Sequence, residues 1–200
     1  HLDMPTVAKL AARDNPLFVV PLGVDRLIHA KVPAARVRAI DWGQSVSLGD
    51  TLGDTVKITA EPAQHWSARS LWDRDETLWA SFVIATPAGP VYFAGDTGYG
   101  NGGIFRALGA RYHEFALALL PIGAYEPRWF MAPSHVNPAE AVQIAQDLHA
   151  AHAIAIHFGT FQLTDEGMDQ PVIDLHLALD HAQRSNDFFQ ALKPGESWEK

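Results

Sequence analysis

Two regimes of hydrophobic patterning divide the chain. Up to about residue 94 the apolar positions form short, alternating or compact runs. A compact run at 17–22 and alternating stretches at 37–40, 45–48, 55–60, 78–86 and 90–94 each predict a strand. Turn chemistry at 49–54 joins two of them, and Pro87-Ala88-Gly89 predicts a hairpin between the last pair. A short helical pattern at 4–13, with Pro5 suited to a first turn, precedes this run. Beyond residue 94, fully apolar strands at 115–121 and 153–158 alternate with helical stripes at 104–108, 137–150 and 171–184, and a last strand is expected at 188–192. The helix at 137–150 is the best defined. Asn137 can cap it, Pro138 fits its first turn, Glu140 completes the capping-box spacing, and Ala141, Val142, Ala145 and Leu148 make its apolar stripe. A mainly antiparallel run followed by strand–helix alternation predicts an α+β fold, with sheets packed face to face and helices outside.

At 200 residues and 48% hydrophobic content the chain suits one globular domain. Its apolar runs are far shorter than the roughly 20 residues of a membrane span, and no signal-peptide pattern opens it. The net charge of −8, without a basic stretch, makes nucleic acid a poor partner. That charge does not exclude an anionic substrate, because a bound dication dominates the field of its own site. With no cysteine, disulfides and thiolate ligands are excluded, and the compartment stays open: cytoplasmic or peripheral to a membrane.

Three motifs place a metal-ligand residue type at the C-terminal end of a predicted strand. They are Pro62-Ala63-Gln64-His65-Trp66, Gly95-Asp96-Thr97-Gly98-Tyr99 and His157-Phe158-Gly159-Thr160. Strand ends beside glycine present side chains to a shared cleft. Imidazole and carboxylate without thiolate suit zinc, with manganese or iron as alternatives. Two neighbouring cations need a bridging oxygen donor, which Asp96 can provide, and such a pair makes water nucleophilic near neutral pH. Taken singly, each motif has an ordinary structural explanation: a strand-end histidine is usually a hydrogen-bonded core or surface residue, and Gly-Asp-Thr-Gly is usually a turn. Their occurrence in order, after three apolar strands, favours the metal reading.

In these contexts His65, Asp96 and His157 resemble the metallo-β-lactamase superfamily. The Gln-His-Trp and Gly-Asp-Thr-Gly-Tyr stretches, the long run Pro121-Ile122-Gly123-Ala124-Tyr125-Glu126-Pro127-Arg128-Trp129-Phe130-Met131, and His157-Phe158-Gly159-Thr160-Phe161 are similar to the N-acylphosphatidylethanolamine-hydrolysing phospholipase D family. The resemblance implies an αββα sandwich, two zinc ions, and hydrolysis of a phosphodiester in a phospholipid or small molecule. It also implies a His-x-His-x-Asp-His motif followed by Leu-Asp. Since the chain opens His1-Leu2-Asp3, His1 matches the motif's last histidine, and the first strands and His-x-His-x-Asp are expected upstream. His1, His65, Asp96 and His157 are then the metal ligands present.

The family places a histidine by the active site at His135, giving Asp96 and His135 catalytic roles; a loop histidine at a helix N-terminus is the ordinary alternative. Arg69, Trp66, Tyr99 and Tyr125 are candidate substrate contacts, although core packing would explain either tyrosine equally well. Arg74 suits a salt bridge, Arg128 a structural role, and Trp79 and Phe130 the core. An apolar rim of tryptophans would fit peripheral contact with a membrane surface, and a homodimer is compatible with the sequence. Two other readings remain open: a lactonase or general ester hydrolase, and a metal-poor module that binds or supports without catalysis. With part of the ligand set absent, this chain is expected to bind zinc weakly or incompletely, and its activity to need the upstream segment; two tight sites in a calorimetric titration would refute this.

Overall fold

The computed structural model describes residues 2–49 and 55–199. The predicted turn at 49–54 therefore lies, from Asp50 on, outside the described residues, as does His1. The chain runs α1 (Met4–Asp14), β1 (Leu17–Pro21), α2 (Val24–Lys31), β2 (Arg36–Ile40), β3 (Ser45–Gly49), β4 (Thr55–Glu61), β5 (Ser81–Thr86) and β6 (Gly89–Phe93). It continues with α3 (Gly103–Tyr112), β7 (Leu117–Pro121), α4 (Arg128–Met131), α5 (Pro138–Asp147), β8 (Ala153–Ile156), α6 (Gln170–His181) and β9 (Phe189–Gln190).

One sheet of seven strands has the order β3-β4-β5-β6-β7-β8-β9, and β1 and β2 form a separate parallel pair. In the large sheet the β3–β4, β4–β5 and β5–β6 pairings are antiparallel, and the β6–β7, β7–β8 and β8–β9 pairings are parallel. The switch follows from the connections. Pro87-Ala88 turns β5 straight back into β6, whereas α3, α5 and α6 supply the long crossovers that parallel strands need. Because β4, β6, β7 and β8 all run the same way relative to one another, their C-terminal ends open at one edge. That is where the chemistry-bearing loops begin.

Helices α3, α5 and α6 cover one face of this sheet. Their buried residues, Phe105, Leu108, Val142, Ile144, Leu175 and Leu179, join Tyr92, Ala118, Leu120 and Phe189 in one core. Helix α5 begins as its sequence predicts, with Asn137 accepting from the Glu140 N–H at 2.8 Å and Glu140 accepting from the Asn137 N–H at 3.0 Å. A second, smaller apolar cluster joins α1, α2, β1 and β2 through Val7, Val20, Ile28 and Ala35.

The differences from sequence expectation have local causes. Residues 78–80 do not extend β5, because the Leu78 N–H donates to Leu22 O at 2.8 Å and the Trp79 indole donates to Ala63 O at 2.9 Å. Helix α5 stops at Asp147, before a left-handed His149 at φ 53°, and Ala150 bridges Phe115 instead. Strand β8 ends at Ile156 because His157 turns to φ 59°, which takes it out of the ladder. Helix α2, absent from the sequence reading, starts from the left-handed Gly23 and buries only Ile28, too little apolar surface to leave a clear stripe.

The end of β4, four residues before His65, is anchored electrostatically. The Glu61 carboxylate, 1% exposed, accepts from Arg111 Nη1 at 2.8 and 3.0 Å and from the Tyr112 hydroxyl at 2.9 Å. Arg111→Met would leave a buried carboxylate with one donor and is expected to cost about 3 kcal/mol. Glu61→Gln, which keeps an acceptor, should cost nearer to about 1 kcal/mol, since the more exposed guanidinium can turn to water. Urea unfolding of the two variants would show that order; equal losses would mean that the pair does not anchor the strand.

Candidate metal centre

His65 follows β4, Asp96 follows β6, His157 follows β8, and His135 sits between α4 and α5. Ligand atoms of His65, Asp96 and His135 lie within 4.8 Å of one another. His157 Nε2 lies 3.5 Å from Asp96 Oδ1. The imidazoles form a continuous row, with His65 edge-on to His135 at 5.3 Å and His135 stacked on His157 at 5.8 Å. The structure thus brings together His65, Asp96 and His157, the three metal-ligand candidates that follow strand ends. It puts His135, expected as a catalytic rather than a ligating residue, inside the tightest group. His1 lies outside the described residues.

The loops are held by short backbone contacts. The buried Thr97 hydroxyl accepts from the Gln64 N–H at 3.0 Å, the Gly98 N–H donates to Gln64 O at 2.8 Å, and the Val136 N–H donates to Thr97 O at 2.9 Å. A Cβ on Gly98 would stand 2.6 Å from Pro133 O, and one on Gly123 would stand 2.3 Å from His157 O, so glycine is what lets these loops touch.

Two imidazole nitrogens decide what the cluster can do. His65 Nδ1 bonds Trp66 O at 2.8 Å, which assigns the proton to Nδ1 and leaves Nε2 as a lone pair. That Nε2, and Nδ1 of His135, are buried with no hydrogen-bond partner among the described residues. Buried polar atoms are rarely left unpaired. A lone pair aimed at a carboxylate and further imidazoles fits a divalent cation, and a backbone carbonyl fixing the opposite ring nitrogen is the usual support of a metal-binding histidine. Burial pushes the His135 imidazole below its ordinary pKa; the Asp96 carboxylate opposes this, and His65, His157 and Arg128 add to it. His135 therefore stays neutral near pH 7 and keeps a lone pair.

The cluster lies in a cavity of about 710 Å³. Trp66, Phe130, Met131 and Leu163 give it apolar walls, Arg69 and Asp73 line one side, Glu126 and Asp165 another, and Leu2, Val24 and Leu27 reach in from the smaller sheet unit. Trp66 stacks on His65 and lies under the Arg74 guanidinium at 4.8 Å. Arg74 also pairs with Asp75 at 3.6 Å. Arg69 faces the cavity with one nitrogen donating to Leu2 O at 2.9 Å.

Two candidate substrate contacts lie outside the cavity lining. The Tyr99 hydroxyl donates to Asp147 at 2.9 Å and its ring stacks on Phe105, while Tyr125 is buried and donates to Asp174 at 2.6 Å. Both follow site loops, but both hydroxyls are taken by helix carboxylates; burial, then those carboxylates, raises each phenol's pKa. Phe130, expected in the core, is 66% exposed and lines the cavity. Thr97 and Glu166 escaped the sequence reading. Glu166 accepts the N–H groups of Ala124, Tyr125 and Glu126 at 2.7, 3.3 and 3.0 Å, which shapes the turn beside His157. A left-handed Ala124 after Gly123 marks a turn that needs an acceptor, yet nothing local points forty residues ahead.

A family model described as a beta-lactamase superfamily domain matches residues 1–158, the span that holds all four cluster residues. The chain belongs to the beta-lactamase superfamily. Among the relatives of this superfamily member, the N-acyl-phosphatidylethanolamine-hydrolyzing phospholipase D, mitochondrial, of Saccharomyces cerevisiae is 35% identical over 173 residues, covering 86% of this chain and 36% of that protein. The N-acyl-phosphatidylethanolamine-hydrolyzing phospholipase D 1 of Caenorhabditis elegans is 34% identical over 206 residues, covering 100% of this chain and 57% of that protein. The chain thus spans between about a third and somewhat over half of these relatives' lengths. A metallo hydrolase from Ignicoccus hospitalis superposes with a TM-score of 0.69 at 19% identity, over 95% of this chain and 71% of the other. A metallo-beta-lactamase fold protein from Bacillus subtilis gives 0.63 at 15% identity, over 98% and 69%. The fold of this superfamily domain is accordingly the α+β metallo-β-lactamase fold. No helix among the described residues is long and apolar enough to cross a membrane.

If the unpaired His65 nitrogen is a metal donor, zinc at about a hundredfold excess over its dissociation constant should stabilise the chain by about 2.7 kcal/mol. Thermal melts should show a rise that a chelator reverses and that His65→Ala diminishes. A melting curve indifferent to zinc would remove the metal assignment.

Proposed function

We propose that this chain carries the metal centre of a zinc-dependent phosphodiesterase of the phospholipase D type, acting on N-acylphosphatidylethanolamine or a related phosphodiester. The observation that carries the reading is the convergence of two unpaired buried imidazole nitrogens and a carboxylate on the floor of an apolar-walled cavity. The named activity of the yeast and nematode relatives supports the choice of substrate class. His65, Asp96 and His157, with His1 by the sequence resemblance, are the residues that would hold metal, and the Asp96 carboxylate could serve more than one cation. Bound divalent metal would polarise the phosphoryl group and lower the pKa of water.

The chain's own residues do the rest. The neutral His135, with Nδ1 unpaired, takes a proton from the attacking water and returns it to the leaving oxygen. The new water-oxygen–phosphorus bond replaces the bond to the N-acylethanolamine oxygen, which leaves as the alcohol, and a phosphatidic acid remains. Arg69 at the cavity side meets phosphate charge. Trp66, Phe130 and Leu163, apolar and exposed at the cavity, receive acyl chains and make peripheral contact with the lipid surface that presents them.

The test is turnover of N-acylphosphatidylethanolamine in vesicles, of a bis-aryl phosphate and of a lactone panel, with added zinc, by the native polypeptide. Release of N-acylethanolamine is expected. His65→Ala should lower kcat/KM by about 100-fold or more, since a lost metal ligand removes several kcal/mol of charge stabilisation. His135→Ala should lower it by about 100- to 10,000-fold. Lactone cleavage without phosphodiester cleavage would replace this reading with a lactonase, and inertness towards all three would favour a binding or structural module.

A further inference from the structure

The segment that carries His135 presents a mechanical problem. From Arg128 to His135 no residue is buried, and Trp129 and Phe130 are 84% and 66% exposed. Helix α4 has only four residues, too few to hold itself by its own hydrogen bonds. Val136 anchors the far side of His135 in the core, but apolar packing does not fix the near side.

Arg128 occupies that gap. Its Nη1 donates to His135 O at 2.9 Å and to Tyr125 O at 3.2 Å, and its Nη2 donates to Glu140 Oε2 at 2.7 Å. The same Glu140 oxygen accepts the Asn137 N–H of the capping box, so the guanidinium is tied to the rigid start of α5. The Arg128 N–H donates to Glu126, whose own N–H is held by Glu166. One planar fork thus joins the Tyr125 turn, the His135 backbone and the α5 cap. Its geometry suits a guanidinium, and a lysine ammonium could meet only part of it.

We infer that Arg128, braced by Glu140, is a positioning residue that fixes the His135 imidazole in the cluster by holding the backbone on both sides of α4. It touches neither substrate nor metal and acts through His135, so its catalytic consequence rests on the function proposed above. Its structural consequence does not.

The test reads the ring directly. In the metal-free chain labelled with ¹⁵N-histidine, Arg128→Gln should shift and broaden the His135 ring resonances and leave those of His65 in place, and Arg128→Lys should fall between. Circular dichroism of each variant separates this local effect from unfolding. In turnover assays Arg128→Gln should lower kcat about 10- to 100-fold with little change in KM. The Arg128→Gln/His135→Ala double variant should match His135→Ala within about twofold, because the first change has nothing left to act through. An unaltered His135 resonance in folded Arg128→Gln, or losses that multiply in the double variant, would overturn the assignment. If no substrate is turned over, the functional reading fails and the ring resonance alone decides the positioning role.

Discussion

Thr97 is the joint on which the cluster depends. It is fully buried, its hydroxyl accepts from Gln64 and donates to Gly98 O, and its carbonyl holds Val136. Through those bonds the residue after Asp96 fixes the residue before His65 and the residue after His135. Each bond is worth about 1 kcal/mol net, so their weight lies in geometry rather than in global stability. Three side chains on loops from three parts of the chain converge because their immediate neighbours share one hub. Gly98 is the counterpart of that hub: with a side chain there, the Pro133 carbonyl could not come close enough for the loops to lock.

The elements were legible in the sequence wherever periodicity and capping agreed. Helix α5 is the clearest case, with Asn137, Pro138 and Glu140 forming the cap that their spacing announces. The strands β4, β6, β7 and β8 were also legible, β4 and β6 as alternating stretches and β7 and β8 as apolar runs, each bounded by glycine, proline or histidine. Helix α2 was not, since it buries one residue and starts on a glycine. Within the site, His65, Asp96 and His157 could be found because each follows a recognisable strand. Tyr99 and Tyr125 could not be placed from the sequence, because adjacency to a site loop says nothing about which side of the loop a ring takes. Asp147 and Asp174 claim the two hydroxyls from helices, at separations of 48 and 49 residues. Thr97 and Glu166 went unseen for the same reason: their partners are tertiary, and a threonine or a glutamate in a loop has no local signature of the bonds it will make.

The mixed sheet explains why the site could be assembled from so few specialised residues. Reversal at the β5–β6 hairpin followed by crossover connections turns four strands the same way, and their ends supply loops to one edge. Most of the core lies beneath the helices, around Tyr92, Leu120 and Ile144, and it meets the site loops through Ala94, Ile122 and Val136.

The smaller unit of α1, α2, β1 and β2 follows a different physical regime. Only Val7, Val20, Ile28 and Ala35 are buried in its own cluster, yet Leu2, Val24 and Leu27 from this unit form part of the cavity wall. A wall resting on so slight an apolar foundation has a lower local opening free energy than the sheet that bears the imidazoles. The cavity therefore has one wall backed by the main core and one that opens more readily, so a bulky guest would be accommodated at the second wall rather than at the imidazoles.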